Sequence, residues 1–124
     1  SWSFKSKVMN LHYTKAFTHV LECGIKKHTI RRKEVKIGCV LHHIIYPYHP
    51  QRKCILENEC VSCQGIKIKV SESGKMVWVD GFLLTDEKLE ELVHNDGFGC
   101  LDEFWSFFKT DFEGYIIHWT DLRY

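Results

Sequence analysis

Proline is scarce in this chain, at two residues, and glycine stops at eight in 124. That shortage excludes collagen-like, proline-rich and low-complexity classes. No apolar run approaches the ~20 residues that a membrane-spanning helix needs, so no membrane segment is expected. Charge of one sign is also missing. Seventeen Lys and Arg against 16 Asp and Glu leave a net charge of +1. Global electrostatics therefore point neither toward nucleic acid nor away from it, and only a local cluster can. The sequence opens on no secretory leader pattern, and no linker or repeat divides it.

Apolar side chains are plentiful: hydrophobic residues make up 44%, enough to fill a core. Residues 1–124 read as a single domain. Cysteines stand at 23, 39, 54, 60, 63 and 100, irregularly spaced and partly inside apolar stretches. Reduced thiols and a cytoplasmic location are the expectation. Cys60-x-x-Cys63, with Cys54 and His49 nearby, is half of a zinc pattern. A structural zinc site shows two paired spacings, so no metal and no cofactor are expected. His42 and His43 are adjacent on a strand and face opposite ways.

The periodicities give an element order. Lys7–Leu11 reads as a strand and His12–Cys23 as a helix, with Tyr13, Ala16, Phe17, Val20 and Leu21 at helical spacing and Gly24 as its stop. Residues 26–33 are extended, and Val40–Tyr46 is a strand broken by Tyr-Pro-Tyr-His-Pro. Strands follow over Ile55–Val61, Gly65–Val70 and Met76–Asp80, with a turn at Ser71–Gly74. Thr85 is an N-cap, with Asp86 and Glu87 in the first turn and Leu84 placed to staple against Leu89. Leu89, Leu92 and Val93 are that helix's buried face. After Asp96-Gly97-Phe98-Gly99 a further helix carries Leu101, Phe104, Trp105 and Phe108 on one stripe. Phe104, Trp105, Phe107 and Phe108 are read as core. Tyr115–Trp119 is a last strand. The class is α+β, a small barrel with three flanking helices.

Five Lys or Arg fall within Gly24–Lys33. In an extended chain Lys26, His28, Ile30 and Arg32 share one side and Lys27, Thr29, Arg31 and Lys33 the other. Neither side is apolar. The segment is then either a solvated edge strand guarded by lysines or the lining of a polar cleft. Arg31 and Arg32 suit bidentate contact with phosphate or carbonyl groups; the alternative is an ion pair with Glu34, Asp96 or Asp102. Tyr46 and Tyr48, in the Pro-rich loop, are candidates for stacking on a base.

Gly24-x-Lys26-x-x-Thr29-Ile30-Arg31 after an amphipathic helix resembles the signature of ASCH domains, a family of the PUA-like fold. Lys36-Ile37-Gly38-Cys39-Val40 stands where the family turns into a strand, with Cys39 replacing an acidic residue. Arg52-Lys53-Cys54 to Glu59-Cys60, Asp80-Gly81-Phe82, Asp96-Gly97-Phe98 and Glu103-Phe104-x-x-Phe107-Phe108 are similar to further family segments, over about residues 8 to 119. The resemblance implies a PUA-like β-barrel that binds RNA or a modified nucleoside; Lys27, Arg31, Arg32, Tyr46 and Tyr48, on residue chemistry, are the expected ligand contacts. It also implies an alternative: hydrolysis of N4-acetylcytidine-type amides, or of RNA, by Lys26, Thr29 and a distant carboxylate that falls on Asp96, where the family has Glu.

The chemistry of such a trio is general. A threonine hydroxyl becomes a nucleophile when a base takes its proton. Lysine is that base only once burial and neighbouring cations push its pKa down from ~10.4. Aspartate reaches one methylene less than glutamate, and a shift of ~1 Å can cost on the order of a hundredfold in rate. Both readings require the basic segment and the acidic turn between the last two helices to meet across one hollow.

Overall fold

The computed structural model describes residues 7–124; the first six residues of the expected 1–124 domain lie outside it. Among these described residues, eight strands and three α-helices give an α+β arrangement. In order they are β1 (Val8–Tyr13), a 3-10 turn (Lys15–Phe17), α1 (Thr18–Glu22), β2 (His28–Arg31), β3 (Val40–Ile45), β4 (Lys53–Glu59), β5 (Ser62–Ser71), β6 (Gly74–Val79), β7 (Phe82–Leu83), α2 (Asp86–Asn95), α3 (Leu101–Phe107) and β8 (Phe112–His118). The strands form a three-stranded sheet ordered β1-β3-β4 and a five-stranded sheet ordered β2-β8-β5-β6-β7, neither closed into a barrel.

Strand β8 shows why the two sheets pack as they do. Its neighbours Ile116 and Ile117 point to opposite faces and are both fully buried. Ile116 joins Ile30, Ile66, Val79, Leu92 and Phe104 in a core between the large sheet and helices α2 and α3. Ile117 joins Leu11, Tyr13, Leu21, Leu41 and Ile45 in a second core, between the large sheet and the small one. A strand covered on both faces reads as a continuous apolar run, and Tyr115-Ile116-Ile117 is that run.

The helix expected over His12–Cys23 is shorter than its periodicity suggests. Strand β1 continues to Tyr13, paired in parallel with β3, and regular helix begins only at Thr18. Leu11 and Tyr13 alternate inward as strand residues, so Tyr13 matched the helical spacing by coincidence. Tertiary pairing overrode the local pattern. Gly24 does end α1, at φ +80°, as a C-terminal glycine should. Downstream, the Thr85 hydroxyl accepts from the Lys88 amide at 3.2 Å, a cap worth about 1 kcal/mol. Asp80 and Gly81, both at positive φ, form the tight Asp-Gly turn that joins antiparallel strands. Phe104 and Phe108 are buried, but Phe107 is 62% exposed, a correction to its assignment as core: it lies on the outer side of a helix only two turns long.

Candidate functional site

Gly24 turns the chain back so that β2 becomes the edge strand of the large sheet. The segment leading into it is fastened on both sides. The Lys26 amide donates to the Val20 carbonyl at 2.9 Å, and the Lys27 amide donates to the Asn95 carbonyl at 2.7 Å. This second bond ties the basic segment to the last residue of α2, next to Asp96. The positive strand and the acidic turn therefore do meet.

A cavity of about 180 Å³ lies at this junction, lined by Tyr13, Phe17, Lys26, Thr29, Arg31 and Asp96 with further aromatic wall from Phe98 and Phe107. Strict alternation put Lys26 on the side away from Thr29 and Arg31. Lys26 precedes the regular strand, so alternation does not govern it, and all three enter the same hollow. Thr29 and Arg31 do follow it: Arg31 Nε donates to Thr29 Oγ at 3.3 Å, and Arg31 Nη2 donates to the His12 carbonyl at 2.9 Å. Among the described residues no carboxylate pairs with Arg31 or Arg32.

Lys26 is almost wholly buried. Its ammonium donates to the Asp96 carbonyl at 2.6 Å and lies 3.3 Å from Asp96 Oδ1. Two rings flank it, Phe17 at 4.7 Å and Tyr13 at 5.7 Å from their centroids, and Arg31 sits over the Tyr13 ring at 4.9 Å. Cations over aromatic faces are held by the ring quadrupole. Burial pushes the Lys26 pKa below its ordinary value; Asp96 opposes this and Arg31 adds to it. The Tyr13 hydroxyl is pushed up, chiefly by burial. That hydroxyl hydrogen-bonds His43 Nδ1 at 2.9 Å, while His43 Nε2 meets Asn58 Oδ1 at 2.7 Å. Asn58 Oδ1 can only accept, so Nε2 carries the proton and Tyr13 donates to Nδ1.

Four nominated residues lie elsewhere. Lys27 is half-buried, outside the cavity lining, and donates to the Gly24 carbonyl at 3.0 Å. Arg32 stacks over Phe112 at 5.1 Å and lines a separate, open depression of about 830 Å³ with Trp78 and Tyr115. Tyr46 packs against the second core, beside His49. Tyr48 is 93% exposed and meets the cavity only through an edge contact with His12 at 5.7 Å. The turn chemistry that made Tyr46 and Tyr48 loop residues does not point them at the hollow.

The cysteines give no metal geometry. Cys60 and Cys63 both donate to the Val35 carbonyl, at 3.7 and 3.0 Å, and Cys54 donates to the Leu56 carbonyl. Burial pushes the Cys60 thiol up to about 12, the opposite of what a thiolate ligand needs. Among the described residues no three His, Cys, Asp or Glu side chains are grouped to hold an ion.

No family model, curated protein or solved structure matches the chain.

Several site groups escaped the sequence reading. Tyr13 was hidden by its assignment to a helix, although Leu11-x-Tyr13 carries a strand signal. His28 sits between Lys26 and Thr29, and its parity placed it on the face opposite Thr29, which is where it is buried. Tyr124 gave no signal: only the fold brings its hydroxyl to within 2.6 Å of His28 Nε2.

Proposed function

We propose that the chain is an ASCH-type domain, its two sheets standing for the family's PUA-like barrel, that binds a nucleoside or a single base of RNA in the 180 Å³ hollow. One observation carries this reading: Lys26, Thr29, Arg31 and Asp96 line a single cavity walled by aromatic rings. Lys26 and Arg31 supply donors, Asp96 and Thr29 supply acceptors, and the rings supply flat apolar walls. That combination orients a planar polar ring. Size sets the scale of the ligand. Pockets for drug-sized molecules run to roughly 300–1,000 Å³, so this hollow takes one base and not a stretch of strand. The near-neutral net charge agrees, since a long polyanion calls for many cations.

A titration of the protein with cytidine and with a short single-stranded RNA, read by NMR shifts of the Thr29 and Arg31 amides, tests the reading. Saturable shifts that vanish in folded Arg31→Ala support it. No saturable shift with either probe removes it.

The alternative is amide hydrolysis on an N4-acetylcytidine-type substrate, and a specific observation favours it. Lys26 is buried beside Asp96, and burial favours its uncharged amine, the form that can take a proton from Thr29. Binding is still the better supported of the two. Thr29 Oγ is hydrogen-bonded to Arg31, while the Lys26 ammonium is turned to the two Asp96 oxygens. Incubation with N4-acetylcytidine followed by mass analysis separates them: turnover lost in Thr29→Ala favours hydrolysis, and unchanged substrate leaves binding alone.

A further inference from the structure

Asp96 is gripped from two sides by one short segment. Lys26 reaches it from the cavity, and His28, two residues on, reaches the same Oδ1 from behind at 3.0 Å. His28 is fully buried and does not line the cavity. Its surroundings fix the hydrogen-bond directions. An ionised Asp96 only accepts, so His28 Nδ1 carries the proton and donates. Burial keeps the ring neutral, lowering its pKa against the pull of Asp96. Nε2 is then bare and must accept, and the Tyr124 hydroxyl donates to it at 2.6 Å. The Tyr124 oxygen accepts in turn from Asn95 Nδ2 at 3.2 Å. Every donor in the row has an acceptor, and the row ends on the carboxylate that holds the lysine.

We propose that His28 is a positioning residue for Lys26: acting through the shared Oδ1 of Asp96, it fixes where the Lys26 amine stands in the cavity. The lysine stem is flexible and its head is a point charge with three donors. Both of its oxygen partners belong to Asp96. The carbonyl is fixed by the backbone, but the carboxylate turns about the side-chain torsions unless a second donor pins it. His28 is that donor. The inference rests on the base-pocket reading for what the amine does, not for whether His28 holds it. Lys26 is faced by Asp96 at the end of α2, by Thr29 and Arg31 on β2 and by Tyr13 on β1. His28 is faced by Asp96, by His118 on β8 and by Tyr124.

The test needs no ligand. Protein labelled with ¹³C at lysine Cε is titrated with base, and the Lys26 signal is assigned by its loss in Lys26→Met. His28→Leu removes the donor, leaving the carboxylate to the ammonium alone. The proton on Lys26 is then held more tightly, and its midpoint rises by about one pH unit. His28→Asn puts an amide N–H near the place of Nδ1 and restores the wild-type midpoint. His28→Gln puts its N–H near the place of Nε2, so it behaves as Leu does. The Asn–Gln contrast stands even if the Leu variant does not fold. A purely structural histidine lowers stability in all three and leaves the Lys26 midpoint where it was; that outcome, or equal shifts in Asn and Gln, overturns the proposal. A failure of cytidine to bind would remove the base-pocket reading and leave this titration untouched.

Discussion

Acid should unfold this protein through its buried histidines. His28, His43 and His118 are all fully buried. Burial pushes His43 down to about 4 and His118 down to about 3, with cations and neighbouring imidazoles contributing, and it lowers His28 as well. In the unfolded chain each titrates near ~6.5. Between those values the unfolded state binds more protons than the folded one, so stability falls as pH falls through the window. The sign follows from depressed folded pKa values: the ring must stay neutral to stay buried. His118 shows the reason at one atom. Its Nε2 donates to Gln64 Oε1 at 2.9 Å, and its Nδ1 is buried with no partner among the described residues. A proton added there would be a charge with nothing to meet it. Each neutral histidine contributes a slope of about 1.4 kcal/mol per pH unit. From pH 6.5 to 4.5, His43 and His118 together remove roughly 5 kcal/mol, comparable with the whole stability of a small domain. Urea midpoints measured from pH 7 to 4.5 should fall steadily, with no change in m-value to explain it. His43→Gln should be less stable at pH 7 and lose stability less steeply below it. Midpoints that stay level to pH 4.5, or a His43→Gln slope equal to wild type, would refute the reasoning.

Gly114→Ala should be strongly destabilising, because a Cβ there runs into the Arg31 carbonyl oxygen and comes within 2.8 Å of the Phe112 ring; a fall in thermal midpoint well beyond that of an exposed Gly→Ala change checks it. Phe104→Ala removes a fully buried ring from the core under α3 and should cost about 3–5 kcal/mol in chemical denaturation. Thr85→Ala should cost about 1 kcal/mol by the same assay, with amide exchange accelerating first at Lys88, the residue its hydroxyl holds.

How far the sequence spoke depended on whether neighbours along the chain or neighbours in space set each feature. The N-cap at Thr85, the stop at Gly24 and the turn at Ser71–Gly74 are local, and residue chemistry foretold them. So did the parity of His42 and His43: His43 is buried against Tyr13 and Trp119, and His42 stands out near Glu57 at 3.6 Å. Strand β1 was half lost, because its pairing with β3 spans 32 positions and leaves no trace in a window of ten. Phe107 looked like core beside Phe104 and Phe108, but which side of a short helix faces inward is decided by what packs there. The cavity was legible in its polar and charged residues, Lys26, Thr29, Arg31 and Asp96. Its walls were not. Tyr13 comes from β1, and Phe17 from the turn after it, and neither carries a mark that says pocket.

The length of residue 96 decides how much the pocket depends on its carboxylate. Asp96 caps α2, so its carbonyl faces out of the helix and takes the shortest bond from Lys26, at 2.6 Å; the carboxylate stands farther off, at 3.3 Å. No substitution removes a backbone carbonyl. One of the lysine's two anchors therefore survives a change of side chain, while the carboxylate anchor and its link to His28 do not. Asp96 is 4% exposed, and beside it Gly97 leaves little room, since a Cβ there would already lie 3.0 Å from Val20 and 3.4 Å from Lys26. An added methylene in such packing costs about 1–3 kcal/mol. Asp96→Glu should thus lower stability by that amount and break the His28 bond. Its carboxylate should advance into the hollow, nearer Thr29. If the pocket only binds, the intruding group takes space from the base, and cytidine affinity falls. If it hydrolyses, the longer reach brings the acid toward the scissile amide, and turnover of N4-acetylcytidine rises against a falling affinity. Equal affinity and equal turnover in the two proteins would mean that residue 96 touches neither ligand nor chemistry, and that Lys26 is held by the backbone alone.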